Sequence, residues 1–80
     1  MKLAAVRFTE YITVPRLSSS QSYKADAKRG VALEFAPAPR IVYIRLRERN
    51  GKQITYGVPL ERVLWLEPFQ ENEKPVEVDG

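Results

Sequence analysis

The chain has no cysteine and no histidine. Without cysteine, no disulfide can staple the fold, and no thiolate can bind a metal or attack a substrate. Without histidine, the commonest zinc ligand and the usual general base near neutral pH are missing. The sequence also holds no nucleophile–base motif and no glycine-rich phosphate loop. We therefore expect a protein that is not an enzyme and that uses no cofactor or metal.

Long hydrophobic runs are missing as well. No apolar stretch approaches the roughly 20 residues that span a bilayer, and the first residues lack the hydrophobic region of a signal peptide. We expect no membrane partner and a cytoplasmic location, which the lack of cysteine fits. At 80 residues, the chain can form one small domain with a modest core.

Charge is unevenly distributed along the chain. Residues 1–66 carry twelve Lys and Arg against five Asp and Glu, whereas residues 67–80 carry five acids against one lysine. A basic body favours a polyanionic partner for which an acidic tail could compete, although ordinary solvated charge explains the pattern equally well. We expect residues 1–69 to fold as one domain and residues 70–80 to be disordered, with a short edge strand at 76–78 on binding as the alternative.

Period-two alternation predicts β-strands over most of the body. Residues 3–14 place apolar side chains at alternate positions, and Glu10 interrupts the row, which predicts a bulge or bend there, or two short strands. Residues 31–35 alternate in the same way, and the prolines of 36–39 predict a stiff, extended connection. The polar segment between them, residues 16–30, predicts either a short helix at 21–29 or a mobile loop.

The most informative stretch is 41–58, which predicts a hairpin around Asn50-Gly51. A two-residue loop would place the apolar row of one strand on the charged face of the other. A three-residue loop, 49–51, pairs Leu46 with Ile54 and puts all the apolar side chains on one face, so the hydrophobic pattern selects it. Gly51 then takes the positive-φ position of a G1 bulge.

The same register defines an outer surface that we name the hairpin face. It consists of Tyr43, Arg45, Arg47, Gln53 and Thr55. Further basic residues are expected as phosphate contacts, namely Arg49 and Lys52 at the nearby turn and Lys24, Lys28 and Arg29 from the polar segment. Small barrels bind single-stranded nucleic acid with such faces, because bases stack on aromatic rings while arginines contact phosphates. Alternate Arg and Tyr residues are also a common way of keeping a sheet soluble.

The run GVPLERVLWLEP, residues 57–68, predicts a strand, a proline-led turn and a last short strand. It is similar to the closing turn of SH3-like barrels, and residues 31–68 resemble small phage-encoded β proteins of unassigned function. The resemblance implies an all-β fold, a small SH3-like antiparallel barrel of about five strands, and a phage or bacterial accessory protein in the host cytoplasm. Trp65 either packs in the core or, if the leucines beside it do so, faces solvent as a binding aromatic.

The sequence leaves two functions open. The first is a non-catalytic module that binds single-stranded DNA or RNA through the hairpin face. The second is a protein-interaction module that docks on a larger complex or self-associates as a homodimer. Arg and Tyr are enriched at protein interfaces, and exposed strand edges can accept an added strand, so the second function uses the same residue types.

Overall fold

The computed structural model describes residues 1–69, which form an all-β domain, as the sequence predicts. The strands are β1 Lys2–Ile12, β2 Ser20–Lys24, β3 Val31–Ala36, β4 Ile41–Arg47, β5 Gln53–Pro59 and β6 Val63–Pro68. Two 3₁₀ turns, Ala27–Arg29 and Leu60–Arg62, lead into β3 and β6. The predicted disorder of residues 70–80 and the strand considered at 76–78 lie outside the described residues.

The strands form one antiparallel sheet in which β1 is the shared member. β1 pairs with β2, β3 and β6, and the ladder continues from β3 to β4 and from β4 to β5. Within residues 1–69 the sheet is not closed, because β5 pairs only with β4 and β6 pairs only with β1. A 3₁₀ turn that leads into a last strand on β1 fits the predicted SH3-like class, with six strands rather than about five.

One apolar core serves the whole sheet. Its members are Leu3, Val6, Phe8, Ile12, Val14, Tyr23, Leu33, Val42, Ile44 and Val58, with Leu66 of β6 packed against them. Phe8 and Ile44 are fully buried, and full burial of such a side chain contributes roughly 1.5–3 kcal/mol. β1, through Phe8, and β4, through Ile44, are therefore anchored to the same cluster, which fixes the hairpin relative to β1.

β1 alternates less regularly than its sequence predicts. Leu3, Ala5 and Val6 are all buried, because the register against β6 shifts between Leu3 and Ala5. The ladder with β2 shifts again between Arg7 and Ile12. That interval contains Glu10, so the ladder is irregular where the interrupted apolar row predicts a bulge or bend, and β1 remains one strand rather than two.

The helix considered for residues 21–29 is not formed. Ser20–Lys24 is a strand paired with β1, and only Ala27–Arg29 turns helically, as a single 3₁₀ turn. No apolar alternation marks this segment, so the ladder to a distant strand, and not a local pattern, determines its structure. No helical segment of residues 1–69 has the length and apolar character to cross a membrane.

Tyr23 anchors β2 to the core. Its ring is buried and packs edge-on against Phe8, with 6.1 Å between the ring centroids. Its hydroxyl donates to the carbonyl oxygen of Ile12 at 2.6 Å, and Ser18 O lies at 3.1 Å from the same hydroxyl. Burial raises the pKa of this phenol. One aromatic side chain thus ties the polar segment to β1 and to the loop that precedes β2.

The connection at 36–39 is a tight turn, and the extended spacer predicted from its prolines is wrong. Ala36 pairs with Ile41, and the Arg40 N–H donates to Ala36 O at 2.9 Å. The Ala38–Pro39 peptide bond is cis, and Arg40 has a φ of 71°. Proline excludes ladder hydrogen bonds, but it suits a chain reversal as well as an extended segment.

Candidate nucleic-acid interface

The β4–β5 hairpin has the register that the hydrophobic pattern selects. Leu46 lies opposite Ile54. The Gly51 N–H donates to Glu48 O at 2.9 Å, and the Glu48 N–H donates to Lys52 O at 2.8 Å. Gly51 has a φ of 85°. The three-residue turn with glycine in the left-handed position is therefore confirmed.

This register brings the residues of the hairpin face together in cross-strand rows. The rows are Tyr43–Gly57, Arg45–Thr55 and Arg47–Gln53. Arg47, Gln53 and Thr55 are exposed, whereas Tyr43 and Arg45 are half-buried. A Cβ atom on Gly57 would lie 3.4 Å from Tyr43 Cε1, so the ring covers the backbone that this glycine leaves bare.

Arg45 is engaged by neighbours within the molecule. Its guanidinium carbon lies 5.3 Å from the centroid of the Tyr43 ring, a cation–π arrangement. Its Nη1 atom also forms an ion pair with Glu34 on β3. The hydrogen bond and charge of Arg45 hold the pKa of Glu34 below its usual value. Arg45 therefore orients Tyr43 and is partly neutralised, whereas Arg47, the other cation of strand β4, forms no ion pair with any residue of 1–69.

A groove at the turn end of the hairpin gathers four arginines. We name it the arginine groove; its lining is Arg16, Leu17, Arg29, Leu46, Arg47, Glu48, Arg49 and Asn50, and its volume is about 560 Å³. Arg16 pairs with Glu48 at 3.2 Å. Arg29, Arg47 and Arg49 form no ion pair with another residue of the described range. The groove therefore carries excess positive charge and suits an anion.

Backbone contacts hold two of these arginines side by side. The Arg47 N–H donates to Gly30 O at 2.9 Å, which fixes the first 3₁₀ turn against the end of β4. Gly30 has a φ of 71°, and a Cβ atom there would lie 2.7 Å from Arg47 O. Glycine is thus required for this approach, and Arg29, the preceding residue, is brought to the same groove as Arg47.

A second groove of about 580 Å³ follows β3, and we name it the β3 groove. Its lining includes Ala27, Ala32, Leu33, Arg45, Arg47, Gln53 and Phe69. The short side chains of its alanines leave space above the sheet, and Phe69 is exposed at its side. Arg47 lines both grooves, so the two cavities meet at the hairpin face.

The other predicted basic residues divide into those that line a groove beside the hairpin face and those that do not. Arg29 and Arg49 join Arg47 in the arginine groove. Lys24 lies on β2 opposite Ala5 of β1, and Lys28 and Lys52 are exposed on turns. None of the three lysines lines either groove. The structure therefore separates the predicted cations into arginines that converge and lysines that do not.

Sequence reasoning missed Arg16, which belongs to the arginine groove. Arg16 has a φ of 72°, and the Leu17 N–H donates to Val14 O at 3.0 Å, so the chain turns sharply there. Pro15 signals that β1 has ended, but no sequence feature shows where the following loop lies. The ion pair with Glu48, together with Leu17 packed against the core, joins this loop to the hairpin.

Trp65 is exposed, but the expectation that both neighbouring leucines would then face the core is wrong for Leu64. Its exposed fraction is 46%, and that of Leu64 is 57%. The register with β1 shifts between Arg7 and Phe8, so Leu64 bulges outward while Val63 and Leu66 pack against the core. Arg7 lies opposite Trp65. We name Arg7, Leu64 and Trp65 the Trp65 patch.

Within residues 1–69, no group of three or more Asp, Glu, Cys or His side chains is placed to hold a metal ion. No protein-family model matches the chain, and no curated protein or solved structure matches it significantly. The resemblance to small phage-encoded β proteins therefore stays a prediction. The identification of the candidate interface therefore rests on the geometry of the chain's own residues.

Proposed function

We propose that the protein is a non-catalytic module that binds single-stranded nucleic acid, DNA or RNA, across the hairpin face. The observation that carries this proposal is the position of Arg47, which lines the arginine groove and the β3 groove at once. A strand that crosses Arg47 meets excess positive charge on one side and a less polar groove on the other. Backbone phosphates and bases need those two environments. An accessory protein of a phage or bacterium, acting in the cytoplasm, is the context that the sequence resemblance favours.

Each residue of the hairpin face has a distinct role in this proposal. The Tyr43 ring and the Arg45 guanidinium that lies over it form a stacked pair against which a base can pack. Arg47 contacts phosphate, and Gln53 and Thr55 offer hydrogen bonds to base edges or sugars from the neighbouring strand. Phosphate contacts of this kind make affinity depend on salt, whereas stacking does not.

The test is a fluorescence anisotropy titration with a labelled oligothymidylate of about 15 nucleotides. Wild-type affinity is expected to fall from about 50 to about 200 mM salt, because counterions compete for the phosphate contacts. Tyr43→Ala is expected to weaken binding about tenfold while leaving the salt dependence unchanged, since one stacking contact is lost. No binding at the lower salt concentration, or binding that ignores salt, refutes the proposal.

The matched control is Tyr11→Ala, which removes another tyrosine from an exposed position on β1. Its affinity is expected to equal that of the wild type. Thermal unfolding of both variants shows that each is folded under the titration conditions. Equal losses for Tyr11→Ala and Tyr43→Ala would show that the hairpin face is not the binding surface.

The Trp65 patch favours a second function, docking on a protein partner or a second copy of the chain. Trp65 and Leu64 are both exposed, and exposed aromatic side chains frequently anchor protein interfaces. Within residues 1–69, strand β6 pairs only with β1, so its other edge is free to accept a strand. The patch contains one arginine, Arg7, whereas the arginine groove contains four.

Light scattering over a range of protein concentrations tests the self-association form of this function. A dimer that becomes a monomer on Trp65→Ala, but not on Tyr11→Ala, would support an interface at the Trp65 patch. If oligothymidylate affinity is unchanged in the same variant, the two surfaces act separately. A monomer at every concentration removes the homodimer and leaves docking on a different partner.

A further inference from the structure

We propose that the arginine groove is a phosphate-binding site, in which Arg29, Arg47 and Arg49 contact phosphate oxygens and Glu48 competes with the phosphate for Arg16. The site extends from Arg47 of the hairpin face to Arg16, a residue of the loop after β1. The inference rests on the proposed function in one respect, namely that the phosphates belong to a nucleic-acid strand. The ability of the groove to bind a phosphate group does not depend on that strand.

The first argument is charge. Arg29, Arg47 and Arg49 line one cavity, and none of them pairs with a carboxylate in the described part of the chain. Guanidinium groups can bind phosphate through two parallel hydrogen bonds, which gives arginine a geometric fit that lysine lacks. The three lysines of the predicted site lie outside the groove. The groove therefore concentrates the residue type best suited to phosphate.

The second argument is that the backbone places these arginines before any ligand arrives. The hairpin turn is closed by Gly51 and by Asn50, whose Oδ1 accepts from the Lys52 N–H at 2.8 Å. The 3₁₀ turn is capped by Asp26, whose Oδ1 accepts from the Lys28 N–H at 3.1 Å. A site assembled in advance loses less conformational entropy on binding. The excess charge is thus imposed by turns that are stable without an anion.

The third argument concerns Arg16 and Glu48. They pair across the lining of the groove, and the side chain of Arg16 keeps an exposed fraction of 67% while that of Glu48 keeps 15%. Because Glu48 is largely covered, taking Arg16 away from it leaves a partly desolvated carboxylate unpaired, which costs free energy. A phosphate in the groove must therefore compete with Glu48 for Arg16. The negative charge of Glu48 opposes an anion, so it limits the affinity of the groove.

The cavity is also large for one phosphate group. Its volume of about 560 Å³ belongs to a groove that is open to solvent, which leaves room for a chain to pass along it. Successive phosphates of one backbone therefore suit the groove better than a single isolated ion. Because Arg47 also lines the β3 groove, a strand held here continues directly onto the hairpin face.

The deciding measurement is the salt dependence of oligothymidylate binding by the full chain. The double variant Arg29→Gln/Arg49→Gln is expected to reduce the slope of log affinity against log salt by about 1.4, or about 0.7 for each lost phosphate contact. Glu48→Gln is expected to raise affinity about threefold, because the opposing charge is removed and Arg16 is released.

The matched control is Arg40→Gln/Arg62→Gln. These two arginines are also exposed, but they lie at the opposite end of the β4–β5 hairpin and line neither groove. The control removes the same net charge and is expected to leave the slope unchanged. Equal slopes for wild type, groove variant and control, with oligothymidylate bound by all three, would overturn the phosphate site while the proposed function survives.

A second arm uses inorganic pyrophosphate, followed through the arginine Nε–Hε resonances in an NMR titration. If oligothymidylate does not bind but pyrophosphate shifts the resonances of Arg29, Arg47 and Arg49, the phosphate site stands and the proposed function fails. If neither ligand perturbs these resonances, both are overturned. The two failures are therefore distinguishable in one set of samples.

Discussion

The two walls of the arginine groove reach their places in different ways. One wall is the β4–β5 hairpin, whose register follows from its own alternation and from a turn at Asn50-Gly51. The other wall comes from the polar segment 16–30, which is placed by contacts with residues far away in the chain. A local pattern can therefore build a surface, whereas a site between two segments depends on long-range contacts.

Gly30→Ala should produce the largest effect, because it damages the contact that joins the two walls. The new Cβ atom would lie 2.7 Å from Arg47 O, and the φ of 71° disfavours any residue with a side chain. We expect unfolding free energy to fall by about 2 kcal/mol or more. Urea denaturation measures the loss. A stability equal to wild type would show that the 3₁₀ turn is not held against β4.

Tyr23→Phe tests the anchor of the polar segment. The substitution keeps the buried ring and removes the hydroxyl that donates to Ile12 O, so a loss of about 1–2 kcal/mol is expected in urea denaturation. The matched control is Tyr11→Phe, because Tyr11 is exposed and should lose nothing measurable. A loss as large in Tyr11→Phe would contradict the role given to Tyr23.

The stability difference between wild type and Tyr23→Phe should depend on pH. The pKa of Tyr23 is raised above its ordinary value of 10.0 by burial, so the folded state holds this proton more tightly than the unfolded state. The resulting stability is fully present below about pH 10 and is lost as pH rises through the raised pKa. Urea denaturation near and above that pH should show a smaller gap between wild type and Tyr23→Phe. A constant gap would mean that Tyr23 does not titrate with unfolding.

Gly51→Ala should cost less than Gly30→Ala, and the difference sharpens the comparison between the walls. Nothing lies within 4 Å of a Cβ atom built on Gly51, so only the penalty of its φ of 85° applies. We expect a loss of about 1 kcal/mol, and a smaller one for Gly51→Asn, because Asn tolerates the left-handed region better. Urea denaturation of the three glycine variants gives the order. A larger loss of unfolding free energy at Gly51 than at Gly30 would contradict the close contact between Gly30 and Arg47.

Glu34→Gln should have the smallest effect on stability, because its ion pair with Arg45 is partly exposed and therefore screened by solvent. We expect a loss below about 1 kcal/mol, together with a modest gain in oligothymidylate affinity as Arg45 is released. Since Arg45 lowers the pKa of Glu34, the stabilisation is present above the ordinary carboxyl pKa and disappears as pH falls through the lowered value.

The control for this change is Glu10→Gln, which breaks a comparable exposed ion pair with Arg62 away from the hairpin face. Anisotropy titrations of both variants separate a local effect from a change in net charge. Equal gains in affinity would mean that Arg45 is not itself involved. A gain confined to Glu34→Gln supports a role for Arg45 in the interface once it is freed.

Several features were predictable because each depends on residues close together in the chain. The register of the hairpin follows from matching Leu46 with Ile54, and the irregular pairing of β1 follows from Glu10. Strand β2 was not predictable, because its residues are polar and its only buried side chain, Tyr23, acts through distant partners. The tight turn at 36–39 was missed because proline is compatible with both extended and reversed chains.

Period-two alternation and a glycine at positive φ are local constraints, so neighbouring residues specify the all-β class, the three-residue turn and the membership of the hairpin face. Long-range packing places Arg16, Arg29, Arg47 and Arg49 in one groove, pairs Glu34 with Arg45, and leaves Trp65 exposed. These outcomes depend on strand pairing and register shifts between segments far apart. Such contacts form only when the whole core packs, so no short stretch of sequence specifies them.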